Sequence, residues 1–352
     1  MKNILRVSVF TFIAGKFLFL SAQDIHFSLY NEIPVTLNPA LSGLYFDHRV
    51  IAAYRTQWFS VTGYGNSYQT YGVSYDGGTG KKLRSHRIGY TLNVFRDVAG
   101  DAKVAQLFPS LGFSYIHNID RKWRASAGFG YGLVYRTIHP DRLRWGSQYA
   151  NYQYDANLPS GESRPASGVL SSDLGVGCHI SYAQSEKYIS AKEGNRFDAG
   201  FAAYHFSMPK SSFILSNERL LNKFVFYANG EVNVRNTRIS LVPSLIYAMQ
   251  GPNREFITGM MFKFIITEQS IFTSVKKPSS FSFGGSYRFK DAIIPAALFM
   301  WDKYALGFAY DINLSQLTPA SRTKGGFEVL LRYNVMPGYG KNLGQSDVKA
   351  SY

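Results

Sequence analysis

The feature that most restricts what this chain can fold into is a two-residue alternation, repeated in runs of about ten residues between positions 50 and 334. Across 123–136, alternate positions read Trp123, Ala125, Ala127, Phe129, Tyr131, Leu133 and Tyr135, against Arg124, Ser126, Gly128, Gly130, Gly132, Val134 and Arg136. A strand sends successive side chains to opposite faces, so this run has one apolar, aromatic face and one small or charged face. The same split recurs in 88–94, 304–314 and 327–334. Beyond the first 22 residues no apolar stretch reaches the roughly 20 residues a spanning helix needs. The chain therefore reads as all-β. A sandwich would also alternate, but its outward faces would be more uniformly charged, and only 17% of these residues are charged while 16% are aromatic. A transmembrane antiparallel outer-membrane β-barrel, lipid outside and a watery or plugged interior within, fits the pattern better. The mean hydropathy of -0.14 does not oppose it, because alternating strands average to near neutrality.

The runs fall near 50–58, 67–76, 87–97, 104–119, 123–136, 172–182, 196–206, 224–234, 239–249, 254–265, 280–288, 292–301, 304–313 and 326–334, which makes fourteen strands. An even count puts both ends of the barrel domain, 50–334, in the periplasm. Links after even-numbered strands should then be periplasmic, and 120–122, 235–238 and 302–303 are short as such turns should be, although 183–195 and 266–279 are longer. The long links 137–171 and 207–223 should face outside. Pro295 is expected to end or bulge its strand, since it offers no N–H to the ladder.

Residues 1–22 have Lys2 and Arg6 ahead of an apolar run from Val7 to Leu20, closed by Ser21 and Ala22. That is the pattern of a cleaved secretory signal peptide, with the cut after Ala22, rather than of a short membrane anchor. Cys178, the single cysteine, excludes an intrachain disulfide and is too far from the leader to be a lipoprotein's acylated residue. The net charge of +15 would suit nucleic acid in a cytoplasmic protein. Behind a signal peptide the expected counter-charges are acidic outer-membrane lipid headgroups, lipopolysaccharide phosphates and acidic partner proteins, with no nucleic acid. A polar tail, 335–352, follows the last strand.

Catalysis needs clustered acids, bases or nucleophiles. The seven His show no HxH or HxxxH spacing, and Cys178 and His179 should point to opposite faces of a strand. Gly128, Gly130 and Gly132 lie on one strand face with no helix following, which suits close packing of the barrel interior, or of a plug against it, better than a phosphate loop. No cofactor, metal site or enzyme activity is expected.

The segment 23–49 lacks the alternation and carries Phe27, Leu29, Tyr30, Ile33, Leu37, Leu44, Tyr45 and Phe46, more apolar side chains than a solvated linker holds. It reads as a periplasmic docking strap for a partner or a partial plug, against the plainer alternative of a passive leader. Gln23, Asp24, Phe27 and Ser28, then Leu37, Asn38, Pro39, Ala40 and Gly43, then Tyr54, Arg55, Gln57 and Trp58 together resemble the N-terminus of the PorP/SprF family of type IX secretion outer-membrane proteins of Bacteroidetes. Ile25 stands where that family usually has proline, and the tail is a second departure, because barrels commonly end on the aromatic residue of the last strand, here Tyr333. Looser likenesses from His86, Ser211 and Phe281 onward extend the resemblance over nearly all of the mature chain. It implies a non-enzymatic component that anchors the secretion machinery, through a periplasmic peptidoglycan-binding lipoprotein and the ring complex, or holds a large secreted adhesin-like protein at the cell surface. Tyr30 joins the motif residues as an expected partner contact. The competing class is an outer-membrane channel or transporter for a small or hydrophobic solute.

Overall fold

The computed structural model describes residues 24–62, 66–79, 85–150, 152–161, 166–184, 194–213, 218–267, 277–315 and 318–335. The expected leader, Gln23, the tail beyond Val335 and most of the two longer even-side links lie outside them. Fourteen antiparallel strands close into one barrel, each paired to its chain neighbours and the first to the last. They are β1 (His48–Gln57), β2 (Tyr68–Thr79), β3 (His86–Ala99), β4 (Val104–Asn118), β5 (Trp123–Thr137), β6 (Gly168–Ala183) and β7 (Arg196–Tyr204), then β8 (Lys223–Asn233), β9 (Ile239–Gln250), β10 (Asn253–Thr267), β11 (Ser279–Arg288), β12 (Ala292–Trp301), β13 (Tyr304–Asn313) and β14 (Lys324–Val335). Among the described residues no helix is long and apolar enough to cross a membrane.

The alternation sorts the two faces as expected. Trp123, Phe129, Tyr131 and Tyr135 of β5 are exposed on the outside, while Arg124, Ser126, Val134 and Arg136 are buried within. Cys178 is exposed outside, and His179 is buried inside with Nδ1 2.8 Å from the Tyr227 hydroxyl. Strand β6 begins four residues earlier than its pattern suggested, because Gly168 to Ser171 pair with Thr137 to Val134 of β5.

Pro295 neither ends nor bulges its strand, contrary to expectation. It pairs with Gly285 on one side, while on the other the ladder passes from Ile293↔Ile312 to Ala296↔Ala309 in unchanged register. Pro109 and Pro243 behave alike, each paired on one side and flanked by a local gap on the other. A missing N–H costs only the ladder that would have used it, and the continuous ladder on the opposite side holds the strand in line.

The end at which β1 starts and β14 finishes, with the short links 119–122, 234–238 and 302–303, is called the turn end; the other, with the long links 138–167 and 205–222 beside the short 251–252 and 289–291, is the loop end. Between them, inside the barrel, lies the N-terminal segment. It folds into three single 3-10 turns, Tyr30–Glu32, Pro34–Thr36 and Pro39–Leu41. Pro34 and Pro39 stand first in the last two, where no N–H is needed and φ is already set. Asn38, extended as a residue before proline must be, caps the third by accepting the Ala40 N–H at 2.8 Å.

Candidate functional site

The candidate site is the contact between this segment and the barrel wall. Phe27, Leu29, Ile33 and Val35 pack with Ile51, Ala53, Phe95, Ile294 and Leu330 in one apolar cluster. Tyr30, Leu37, Leu41 and Leu44 pack with Ile116, Val225, Tyr227, Ile246 and Ile257 in a second. Phe27, Leu29, Ile33, Leu37, Leu41 and Leu44 are all buried, and at roughly 1.5–3 kcal/mol for each large side chain the contact is stabilised by on the order of 10 kcal/mol before ordering costs.

Polar contacts fasten the segment at four levels. At the loop end, Asp24 Oδ2 lies 2.7 Å from His205 Nε2 and 3.3 Å from Lys223 Nζ, and His205 Nδ1 lies 3.0 Å from Asp173. Burial opposes the imidazolium, but Asp173 and Asp24 outweigh it and push the His205 pKa up to about 9. Burial also disfavours the Asp24 carboxylate, yet Lys223 and His205 hold its pKa below the usual carboxylate range.

One level down, Ser28 Oγ donates to Asp311 at 2.6 Å and accepts from Arg55 at 2.7 Å, while Arg55 also donates to Asp311 at 2.6 Å. The backbone N–H groups of Ser28 and Leu29 donate to the two oxygens of Glu328 at 2.6 and 3.0 Å. Arg288 approaches Asp311 to 3.5 Å. The β13–β14 register shifts between Tyr310 and Ile312, a bulge at Asp311 of the kind that re-aims a side chain. Buried charges persist only when paired and hydrogen-bonded, and this cluster meets that condition for Arg55, Asp311 and Glu328.

At mid-barrel the segment lies on glycines. A Cβ on Gly177 would sit 2.0 Å from Asn38 Oδ1, one on Gly128 2.4 Å from the Ala40 nitrogen, and one on Gly89 1.9 Å from the Ser42 oxygen. Asn38 is fully buried and donates through Nδ2 to the carbonyls of Cys178 and Phe201 at 2.8 and 3.1 Å. Ser126 and Ser114 donate to the Ala40 and Ser42 carbonyls. At the turn end the Gly43 N–H donates to Asp76, which Arg49 grips in a two-pronged pair. Gly43 has φ +59 and presses on the Gly77 carbonyl, so only glycine fits. Tyr45 donates to Asp198 at 2.7 Å, and Arg87 to Asp47 at 2.9 Å.

The structure thus brings Asp24, Phe27, Ser28, Tyr30, Leu37, Asn38, Pro39, Ala40, Gly43 and Arg55 into one interior contact. Phe27, Tyr30 and Leu37, expected as partner contacts, lie against the barrel wall: Phe27 meets the Phe95 ring at 5.8 Å and Tyr30 the Ser244 hydroxyl at 3.0 Å. Tyr54 points outward onto Tyr71 at 5.1 Å between ring centres, and Gln57 and Trp58 lie where β1 leaves the loop end, away from the others. Sequence reasoning missed the wall partners Asp76, Asp173, His205, Asp311 and Glu328. Their signal was an acid or His at an inward position of a strand, or at its end, where a purely structural wall would be apolar or small.

Among the described residues the lumen holds open space beside the segment. One space of about 400 Å³ at the turn end lies between the segment and β8–β12, lined by Asn31, Glu32, Glu231, Met261, Lys263 and Arg332. Another of about 110 Å³ lies near Asp24, Phe95, Phe108, Gly132 and His205. Arg332 donates to Glu32 across the first. Among the described residues no three His, Cys, Asp or Glu side chains gather as metal ligands.

Residues 19–333 match the family described as "Type IX secretion system membrane protein PorP/SprF". No curated protein matches the sequence. Among solved structures, CdiB from Acinetobacter baumannii is 7% identical, covering 82% of this chain and 60% of its own, at a TM-score of 0.39. This chain therefore spans about 60% of the length of CdiB. BamA from Haemophilus ducreyi lacking POTRA domains 1–3 is 8% identical, with 82% and 70% covered and a TM-score of 0.41. A mutant of the TodX monoaromatic hydrocarbon channel is 10% identical, with 84% and 91% covered and a TM-score of 0.42.

Proposed function

The chain belongs to the PorP/SprF family of type IX secretion system membrane proteins, resides in the outer membrane as a closed 14-strand barrel, and from that premise we propose that it is a non-enzymatic anchor rather than a conduit. In this reading the N-terminal segment is a built-in plug. The barrel holds position in the lipid, the turn end meets periplasmic components such as a peptidoglycan-binding lipoprotein and the ring complex, and the loop end holds a large secreted adhesin-like protein at the surface. The observation that carries it is the polar and apolar fastening of residues 24–47 to the wall at four levels, which sets a built-in segment in the lumen where cargo would have to pass.

Two measurements test the proposal together. In planar bilayers the purified protein is expected to stay closed, without sustained conductance. In cells, deletion of its gene is expected to leave type IX cargo trapped in the periplasm or released into the medium instead of attached. A sustained conductance combined with normal export and attachment in the deletion strain would replace this reading with a channel for a small or hydrophobic solute.

A further inference from the structure

Within the link 138–167, Tyr149–Ala150 and Gln153–Tyr154 form a two-stranded hairpin separate from the barrel. The register pairs Tyr149 with Tyr154 and Ala150 with Gln153. Tyr152, at the tip just before Gln153, has φ +63 and is fully exposed. Both properties count against a structural role. A tight hairpin tip with positive φ is held at least cost by Gly or Asn, and a fully exposed ring gains nothing from burial.

The frame beneath the tip is braced by side-chain and backbone contacts. The Tyr149 and Tyr154 rings lie 5.5 Å apart, and the Arg144 guanidinium sits 4.9 Å over Tyr154. Gln148 is buried and donates to the Leu158 carbonyl at 3.1 Å, while the Asp155 N–H donates to the Gln148 carbonyl at 2.9 Å. An aromatic ring displayed on a braced base loses little freedom on binding. The link mixes Trp145, Ser147, Tyr149, Asn151, Tyr152 and Tyr154, the composition that recognition loops of antibodies use against proteins. Charge also selects the occupant. Among the described residues of this link and of 205–222, with His205 set aside because its charge is met inside the barrel by Asp24 and Asp173, Arg142, Arg144, Lys210 and Arg219 are nearly balanced by Asp141, Asp155 and Glu218. A surface built for lipopolysaccharide phosphates would carry a clear cationic excess.

We propose that this hairpin is a recognition finger that seats Tyr152 in an apolar pocket of a secreted protein held at the cell surface. The inference rests on the anchoring reading and deepens it by naming the contact. Strain at the tip is then the cost of presenting the ring where a partner reaches it.

Tyr152→Gly is the informative variant, because a structural and a recognition role give opposite signs. Glycine relieves the positive φ, so the barrel should be as abundant and as heat-resistant as before. Attachment should nevertheless suffer, with one type IX cargo moving from the cell surface to the medium by about tenfold or more while its total export stays constant. Tyr152→Trp and Tyr152→Phe should keep it attached. If gene deletion releases the cargo but Tyr152→Gly cells retain it, the finger is refuted while the anchor stands; if deletion itself releases nothing, the anchoring reading falls first. Loss of barrel heat resistance in Tyr152→Gly would make the tip structural and overturn the proposal. So would weaker binding of the purified variant to lipopolysaccharide vesicles, which would make the ring a lipid contact.

Discussion

His205 is a single residue whose chemistry fastens the loop-end level of the N-terminal segment. It follows the end of β7 with φ +65 and bridges Asp24 of the segment to Asp173 of the wall. Its pKa in the folded protein is about 9, against about 6.5 in an unfolded chain. The stabilisation is therefore complete below about pH 6.5 and is lost as pH rises through about 9. Asp24 has the opposite sign, its lowered pKa giving a contribution present above about pH 4 and lost toward stronger acid. Brief openings in planar bilayers should accordingly become more frequent between about pH 7 and pH 10. His205→Gln, which can hydrogen-bond but cannot charge, should open often at every pH. A flat profile in the unaltered protein would show that the Asp24 contact does not hold the segment shut.

The element that decides the behaviour of the interior is the stretch Asn38 to Gly43, laid on the small-residue stripe of β3, β5 and β6. The stripe offers an internal control. A methyl group at Gly128 would meet the Ala40 nitrogen at 2.4 Å and the Pro39 carbon at 2.5 Å, whereas one at Gly130 would find nothing nearer than the Pro39 Cβ at 3.7 Å. Gly128→Ala should thus displace the segment at a cost of about 1–3 kcal/mol, while Gly130→Ala should be neutral or slightly stabilising. Heat-modifiability on gels and resting bilayer conductance read both variants. Equal behaviour of the two would mean that the glycines serve the wall and not the segment.

For the molecule as a whole, closure matters most. The β1–β14 seam is made by ten residue pairs, from His48↔Val335 to Gln57↔Gly326, and the buried Arg55 of β1 binds Asp311 of β13 and Glu328 of β14 just inside it. A barrel so stitched has no reason to part at this seam when the secretion system works. Ala52→Cys with Leu331→Cys, a directly opposed outward pair, should form a disulfide in a Cys178→Ser background. Oxidised cells should export and attach cargo as well as reduced ones. Export that stops on oxidation and resumes on reduction would show that the seam must open.

Much of this protein is local enough to be read from one sequence. Alternation is a property of each strand by itself, so the fourteen strands, their inward and outward faces and the short turns of the barrel were legible from runs such as 123–136. What the sequence could not reveal is which wall residues receive the segment, because the partners are joined only when the sheet closes. Ser28 meets Glu328 across 300 positions of chain, and Asn38 meets the carbonyls of Cys178 and Phe201 from strands that share no motif with it. The apolar side chains of 23–49 read as a docking strap for a partner or as a partial plug, since nothing nearby in sequence said which surface would bury them. Tertiary structure decided where they pack, since a closed barrel has an inner surface, and burial of Phe27, Tyr30 and Leu37 against it removes both surfaces from water at once.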